Sequence, residues 1–247
     1  MTPDPTSSGP APASAPRGEA TVDRRDARRL RAILAGVLPA GVASAVWGVD
    51  ATEASLHPGE ERAVARAVAG RREEFARGRA CARAALAALG ATPGAIPAGP
   101  HRAPVWPPGF VGSITHGAGV VAAAAAPRSA VPALGIDVEA DGPLEPGVQE
   151  MIFAPGEDRG REPWWPAVVF SAKESVFKAL HPEVGEWIPF EAVRVMRGPR
   201  PGELRAEGTG WSPPRGASFE PERLRGAWRA EGGRVVTAVW RRAPGRR

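Results

Sequence analysis

Cysteine is almost absent from the sequence, which contains Cys81 alone among its 247 residues. A single cysteine excludes an intramolecular disulfide framework, so a reducing cytoplasm is the expected compartment. Long apolar runs are absent too, because the most apolar stretch, residues 120–126, is far shorter than the ~20 residues of a membrane-spanning helix. No basic head followed by an apolar core opens the sequence, so we expect no secretory signal. These absences predict a cytoplasmic protein with no membrane partner.

Lysine is scarce as well, and the formal net charge of +5 with a pI near 10.7 comes mostly from arginine. A basic surface favours polyanionic partners, which include nucleic acids, nucleotide phosphates and acidic proteins. The alternative is that arginine simply replaces lysine in a high-GC coding sequence. Zinc-ligand spacings, a helix-turn-helix and interleaved aromatic and basic residues are not found, so we expect no nucleic-acid partner.

Enough apolar material is present for a folded core. Hydrophobic residues make up 43% of the chain, which suffices for one sizeable core or two small cores in contact. Residues 1–26 carry five prolines in their first sixteen positions and few large apolar side chains, so we expect a disordered tail there. Residues 92–108 are also rich in proline, but Trp106 can anchor them as an ordered surface loop. Residues 242–247 are expected to form a basic tail.

Apolar periodicity predicts two helices in the first part of the chain, over residues 60–68 and 73–89. Near and within the second of them, Arg72, Arg79 and Arg83 are seven and four positions apart and therefore share one face. Taken alone, such an arrangement is typical of a solvated cationic stripe.

A strand, a turn and a second strand are predicted over residues 111–126, with the polar sequence Ser113-Ile114-Thr115-His116-Gly117 as the tight turn. Hydroxyls and turn amides are good donors to phosphate oxygens. A lone histidine in a turn is, however, more often a structural hydrogen-bonding residue. Both interpretations of this segment are open from its residues alone.

Another strand is predicted over residues 131–139, and on it Asp137 and Glu139 point to the same face. Two carboxylates one pleat apart are suitable oxygen ligands for Mg²⁺. The same alternation of apolar and acidic residues is also what any half-exposed strand shows. The pair by itself therefore indicates a metal site only weakly.

Residues 168–180 predict a helix that begins at Ser171 and ends before Pro182. Glu174 and Lys178 are four positions apart and share one face of it. Two structural explanations compete with a functional one. Ser171 with Glu174 fits a capping box, and Glu174 with Lys178 fits a helical ion pair that contributes about 0.2–0.5 kcal/mol.

Several of these segments follow one another in a fixed order, namely Arg71-Arg72-Glu73-Glu74-Phe75, Gly78-Arg79-Ala80-Cys81-Ala82-Arg83, Pro104-Val105-Trp106-Pro107, Val111-Gly112-Ser113-Ile114-Thr115-His116, Gly135-Ile136-Asp137-Val138-Glu139 and Phe170-Ser171-Ala172-Lys173-Glu174-Ser175-Val176-Phe177-Lys178-Ala179. In this order they resemble the 4′-phosphopantetheinyl transferases. The resemblance is to the larger, single-chain, two-half type related to siderophore and polyketide pathway enzymes, which includes actinobacterial members. It covers residues 71–190.

The resemblance implies a metal site and a catalytic pair. Asp137, Glu139 and Glu174 are implied as ligands of Mg²⁺, with Mn²⁺ as an alternative ion. Glu174 is also implied as the catalytic base. Lys178 is implied to stabilise the departing 3′,5′-ADP. Mg²⁺ suits this set because it prefers a few carboxylates together with water and phosphate oxygens.

The resemblance also implies coenzyme A as the substrate that donates the transferred group. Contacts to its phosphates are implied for Arg71, Arg79, Ser113, Thr115, His116, Lys173 and Lys178. Some relatives have a lysine just before the loop's Trp-Pro pair, where this chain has Ala98 and Gly99, and we expect Arg102 to substitute for it. Phe177 and Trp187 are implied to line the pantetheine channel.

The implied fold is α+β, with two similar α+β halves related by a pseudo-twofold and coenzyme A in the cleft between them. The halves are expected to span residues 27–133 and 134–241. The sequence itself shows no clear internal repeat. The order of predicted elements is compatible with this architecture, because helices and strands follow one another in each half.

The implied activity is Mg²⁺-dependent transfer of the 4′-phosphopantetheine arm to a serine of an acyl or peptidyl carrier protein, of the holo-(acyl carrier protein) synthase type. Such carriers are acidic, and siderophore, polyketide and nonribosomal peptide pathways use them. We expect a monomer. The alternative is a non-catalytic module of the same fold that binds carrier proteins or coenzyme A without transfer.

Overall fold

The computed structural model describes residues 23–92, 94–214 and 216–243. The first helix begins at Arg24, and the carboxylate of Asp23 caps it by accepting a hydrogen bond from the Arg25 amide at 3.3 Å. Residues 24–26, expected to belong to a disordered tail, are therefore helical. Residues 1–22 of that expected tail and residues 244–247 of the expected basic tail lie outside the described residues.

The described chain forms four α-helices and eight strands. The helices are α1 (Arg24–Val37), α2 (Ala69–Ala88), α3 (Pro146–Ile152) and α4 (Trp165–Val184). The strands are β1 (Ala43–Val46), β2 (Phe110–Gly117), β3 (Val120–Pro127), β4 (Ala133–Ala140), β5 (Val193–Arg197), β6 (Glu203–Gly208), β7 (Arg225–Glu231) and β8 (Arg234–Arg241). Short 3₁₀-helices lie at Glu61–Val64, Pro100–Arg102, Phe190–Ala192 and Pro221–Arg223. This mixture confirms the predicted α+β class.

The strands form two antiparallel sheets, one in the order β1-β3-β2 and one in the order β4-β8-β7-β6-β5. Each sheet begins with a strand that is followed by a 20-residue helix, α2 or α4, and the last strand of each sheet pairs antiparallel with the first. The two halves are thus built on a similar plan, although the sheets differ in size. Their pseudo-twofold relation stays a prediction.

Helix α2 packs on the three-stranded sheet through Ala82, Ala85 and Leu86, which meet the alanines of β3. Helix α1 covers the other face of β3. Strand β3 is therefore buried on both faces, which explains why its sequence is continuously apolar rather than alternating. None of the described helices is both long and apolar enough to cross a membrane.

Helix α4 packs on the five-stranded sheet and lies very close to β4. A Cβ atom at Gly135 would lie only 1.8 Å from the carbonyl oxygen of Ser175, so only glycine allows this approach. The two sheets meet where β2 lies beside β4, and there the Ile136 amide donates to Ser113 Oγ at 3.0 Å. Strands β2 and β4 and helix α4 therefore come together at the junction of the halves.

Three local predictions are wrong. Residues 60–68 form only the 3₁₀ turn Glu61–Val64. Helix α4 begins at Trp165, so Ser171 lies inside it and cannot form the predicted capping box with Glu174. Its hydroxyl instead lies 2.9 Å from Thr237 Oγ1 on β8.

The third correction concerns the polar sequence at residues 113–117, which belongs to β2 rather than to a turn. The tight turn comes afterwards, at Ala118 and Gly119, both of which have positive φ. A strand rather than a turn forms because residues 110–117 pair over their full length with β3.

Candidate active site

The centre of the candidate site is the carboxylate of Asp137 on β4, which is 4% exposed. Its Oδ1 atom accepts a hydrogen bond from Thr115 Oγ1 at 2.9 Å and one from Lys178 Nζ at 2.6 Å. Lys178 also donates to the carbonyl oxygen of Ile136 at 3.3 Å. One carboxylate oxygen thus joins β2, β4 and α4.

The ammonium group of Lys178 interacts with three carboxylates. Burial alone would lower the pKa of Lys178, but attraction to Asp137, and then to Glu174 and Glu139, outweighs burial and raises it. Lys178 is therefore a permanent cation. Lys178 forms its ion pair with Asp137 rather than with Glu174. The ion pair between Glu174 and Lys178 within one helix, considered above as a structural explanation, is therefore not the pair that this structure forms.

The two other carboxylates hold their protons more tightly than usual. Burial, and next the charge of Asp137, raises the pKa of Glu139 to about 8, against the opposing effect of Lys178. Burial also raises the pKa of Glu174, with Lys178 opposing and Asp137 adding to the shift. The positive charge of Lys178 thus does not balance the negative charge of the three buried or half-buried carboxylates, so a further cation would be stabilised here.

The donor atoms suit a hard divalent cation. Asp137 Oδ2 is buried and has no hydrogen-bond partner, which leaves a carboxylate oxygen free beside Glu139 and Glu174. In the described ranges, however, no three His, Cys, Asp or Glu side chains stand in an arrangement that could hold a metal ion. The carboxylate oxygens are of the type that Mg²⁺ prefers, but which of these residues bind it stays a prediction.

A second polar cluster lies beside the first and contains His116, the residue after Thr115. Alternation along β2 buries Thr115 and exposes His116 on the other face. His116 Nδ1 lies 3.2 Å from Glu74 Oε1, and His116 Nε2 lies 2.9 Å from Arg71 Nη1. Arg71 also donates to Glu74 at 2.6 Å. The structure thus brings together Arg71 and His116, for which the resemblance implies contacts to phosphate, and those contacts stay a prediction.

Glu74, which the sequence did not predict for the site, joins this cluster through Arg71 and His116. It stands three positions after Arg71 on α2, within a segment quoted for the resemblance, so its helical spacing was the available signal.

The chain matches two sequence models of one family. The model described as 4′-phosphopantetheinyl transferase N-terminal domain matches residues 59–126, and that of the 4′-phosphopantetheinyl transferase superfamily matches residues 133–234. The 4′-phosphopantetheinyl transferase Svp of Streptomyces mobaraensis is 39% identical over 223 residues, which are 86% of this chain and 90% of Svp. The chain belongs to the 4′-phosphopantetheinyl transferase superfamily.

Two further relatives carry the same description. The 4′-phosphopantetheinyl transferase PptT of Mycobacterium tuberculosis is 35% identical over 234 residues, covering 84% of this chain and 97% of PptT. The 4′-phosphopantetheinyl transferase Npt of Nocardia iowensis is 39% identical over 164 residues, covering 64% of this chain and 74% of Npt. The resemblance to the large actinobacterial type is confirmed.

Two arginines of this phosphopantetheinyl transferase are buried, so the interpretation of α2 as a solvated cationic stripe is wrong. Arg83 donates to the fully buried carboxylate of Glu60 at 2.9 Å. Arg79 donates to the carbonyl oxygen of Ile96 at 2.6 Å and stacks on the ring of Phe75. Burial lowers the pKa of Arg79 to about 10. Its Nη2 atom is buried without a partner.

Three predicted coenzyme A contacts of the transferase are already engaged within the protein. Ser113 Oγ accepts from the Ile136 amide, and Thr115 Oγ1 donates to Asp137, because both side chains point toward β4. Lys173 is 3% exposed and is hydrogen-bonded inside the C-terminal half. In this structure the three side chains thus have partners within the protein, and their contacts with coenzyme A stay a prediction.

A small pocket opens beside Glu174 in the transferase. Its other lining residues include Phe177, Trp187, Ile188, Pro189 and Phe190. The rings of Phe177 and Trp187 are 5.1 Å apart, and Trp187 is 49% exposed. The two aromatic residues predicted for a pantetheine channel thus lie together next to the predicted base.

The loop of the N-terminal half reaches the same region. His101 and Arg102 have φ values of 52° and 64°. The ring of His101 packs edge-on against His181 of α4 at 5.5 Å, and His181 contacts Phe177 at 5.0 Å. Arg102 itself is exposed.

Proposed function

We propose that this phosphopantetheinyl transferase moves the 4′-phosphopantetheine arm of coenzyme A to a serine of an acyl or peptidyl carrier protein and releases 3′,5′-ADP. The supporting observation is the cluster of Asp137, Glu139 and Glu174 around Lys178 at the junction of the two halves. It stands between a basic cluster, with Arg71 and His116, and an apolar pocket. A phosphate-rich and partly apolar substrate needs both surroundings.

Asp137, Glu139 and Glu174 would hold the divalent cation, with Mg²⁺ preferred and Mn²⁺ as an alternative. The free Oδ2 atom of Asp137 and the raised pKa of Glu139 support this assignment, because a cation would use the first and relieve the second. When bound, such an ion neutralises negative charge on the pyrophosphate and on the leaving group.

Glu174 is the proposed base, since burial raises its pKa and so makes its carboxylate a better proton acceptor. The Oγ–P bond forms as the serine proton passes to Glu174. At the same time the P–O bond to 3′,5′-ADP breaks and leaves the negative charge on its 5′-phosphate. Lys178, which stays protonated, can donate to that phosphate.

The phosphates at the adenosine end would be bound by Arg71 and His116, with Arg79 and Arg102 as further cations. Arg79 supports this through its unpartnered Nη2 atom. Arg71 and Arg79 lie close enough for their charges to interact. Phosphate oxygens would stabilise two cations held near each other.

The net charge of +5 supports an acidic carrier protein as the partner, because complementary charge speeds encounter. We place the reaction in the cytoplasm, where coenzyme A is available, and expect the enzyme to act as a monomer on carriers of siderophore, polyketide or nonribosomal peptide synthesis.

The test is to incubate the purified chain with coenzyme A, Mg²⁺ and a panel of apo carrier domains and to weigh the carriers by mass spectrometry. We expect a carrier mass increase of one phosphopantetheine arm and an equal amount of released 3′,5′-ADP. Coenzyme A binding with no transfer to any carrier would instead support the non-catalytic binding module.

A further inference from the structure

Lys173 and Lys178 are the only lysines of the chain, and both lie on α4. Five positions on a helix correspond to about 500°, so the two side chains leave α4 in different directions. Lys178 points to β4, whereas Lys173 points toward α3 and β5. The two lysines therefore serve different parts of the structure.

The ammonium group of Lys173 has no hydrogen left for a ligand. It donates to the carbonyl oxygen of Ile152 at 2.5 Å, to Glu157 Oε2 at 2.6 Å and to the carbonyl oxygen of Phe190 at 3.0 Å. An ammonium group has three hydrogens, so these acceptors use all of them. The side chain of Lys173 is 1% exposed, and that of Glu157 is 0% exposed.

Both carboxylate oxygens of Glu157 accept hydrogen bonds as well. Its Oε2 atom also accepts from the Ala154 amide at 2.7 Å, and its Oε1 atom accepts from the Val195 amide at 2.6 Å. The pair thus joins the chain just after α3 to the middle of β5 through α4. A buried pair of charges requires such complete hydrogen bonding, since each charge has lost its water.

The main-chain atoms held by this pair belong to one wall of the pocket beside Glu174. Lys173 binds the carbonyl oxygen of Phe190, and Glu157 binds the amide of Val195, so residues 190–195 are fixed at both ends. Phe190 and Val193 of this segment line the pocket. Ile188 and Pro189, which come directly before this segment, and Phe177 of α4 also line the pocket. Displacement of this segment would change the width of the pocket.

We propose that Lys173, paired with Glu157, is a positioning residue that fixes residues 190–195 as one wall of the pocket that receives the pantetheine arm. This rests on the proposed function and deepens it. Lys173 itself lines the pocket, but its ammonium group is used up within the protein, so it determines how well the arm is bound through the wall that it holds.

The test compares two ligands in isothermal titration calorimetry, coenzyme A and 3′,5′-ADP, since only coenzyme A carries the arm. The variant is Lys173→Met with Glu157→Gln, which removes both charges and leaves no lone buried charge. We expect coenzyme A to bind ~10-fold or more weakly, the size of a lost apolar contact, with 3′,5′-ADP unchanged. The KM for coenzyme A should rise more than kcat falls.

Two results would overturn the proposal. Equal weakening of both ligands would show that Lys173 contacts the phosphates after all. Unchanged binding of both ligands by the folded double variant would make the pair merely structural. Arg241→Gln is the matched control, because it breaks an exposed ion pair with Glu183 of the same helix and should leave both affinities unchanged.

Hydrogen exchange gives a readout independent of activity. In the double variant, amides of residues 188–195 should exchange faster, while those in the middle of α4 should not. Unchanged exchange there would overturn the positioning role even if the wild-type enzyme is active. If wild-type protein binds neither ligand, the proposed function falls, and the arm-binding role falls with it, whatever the exchange shows.

Discussion

The Nζ atom of Lys178 lies 2.6 Å from Asp137 Oδ1 and joins the middle of α4 to the middle of β4. The same oxygen accepts from Thr115 of the other sheet. One carboxylate therefore connects both halves of the protein at the point where the remaining charged residues of the candidate site gather.

Lys178→Met should reduce transfer strongly, because it would remove the cation that we propose to donate to the leaving phosphate. We expect kcat to fall about 10²–10³-fold, as for the loss of one preorganised donor. Single-turnover transfer to an apo carrier measures this, with circular dichroism as the check of the fold. The control Arg241→Gln should keep wild-type kcat, and a Lys178→Met enzyme with full activity would remove Lys178 from the catalytic residues.

Glu174→Gln should lose transfer and keep the fold. Glu174 lies inside α4 rather than at its start, so glutamine needs no cap and has nearly the same shape. We expect kcat to fall about 10²–10⁴-fold, the usual contribution of a positioned acid or base. The measurement is kcat over a pH series. Wild-type rates at all pH values would leave Glu174 with a structural role only.

Metal-free protein should lose thermal stability as the pH rises. The pKa of Glu139 is raised to about 8 by burial and by Asp137. The folded state holds the Glu139 proton more tightly than the unfolded chain, whose Glu139 pKa is near 4.5. The bound proton therefore stabilises the fold fully below pH 4.5, and this stabilisation is lost as the pH rises through about 8. Melting temperatures in EDTA should therefore fall between pH 6 and pH 9.

Two controls accompany this pH series. Glu139→Gln should flatten the pH dependence, because glutamine has no proton to lose. Mg²⁺ should raise the melting temperature most at the alkaline end, where the ligands are already deprotonated. A pH profile that is identical in wild type and Glu139→Gln would show that Glu139 is not the titrating group.

Gly135→Ala should destabilise the protein, because the new Cβ would lie 1.8 Å from the carbonyl oxygen of Ser175. Overpacking of this kind costs about 1–3 kcal/mol, measurable as a lower urea midpoint. Gly142→Ala is the matched control, since nothing lies within 4 Å of its Cβ position. Equal midpoints for the two variants would contradict the close packing of α4 on β4.

Regular local geometry made part of the site predictable. Alternation on β4 brought Asp137 and Glu139 into one electrostatic cluster, and the four-residue spacing on α4 added Glu174 and Lys178 to it. The order of the segments identified the family, which the sequence comparisons confirm. These features depend on residues that are close in sequence or on the order of short segments.

The tertiary structure alone decided what the neighbours of those residues do. Lys173 is adjacent to Glu174, yet about 100° of helical rotation directs its ammonium group to Glu157 instead of to Asp137. Arg83 is buried by Glu60, which is 23 positions away. Ser113 is bound by β4 of the other half. Periodicity determines the face on which a side chain lies, but distant segments determine what that face meets.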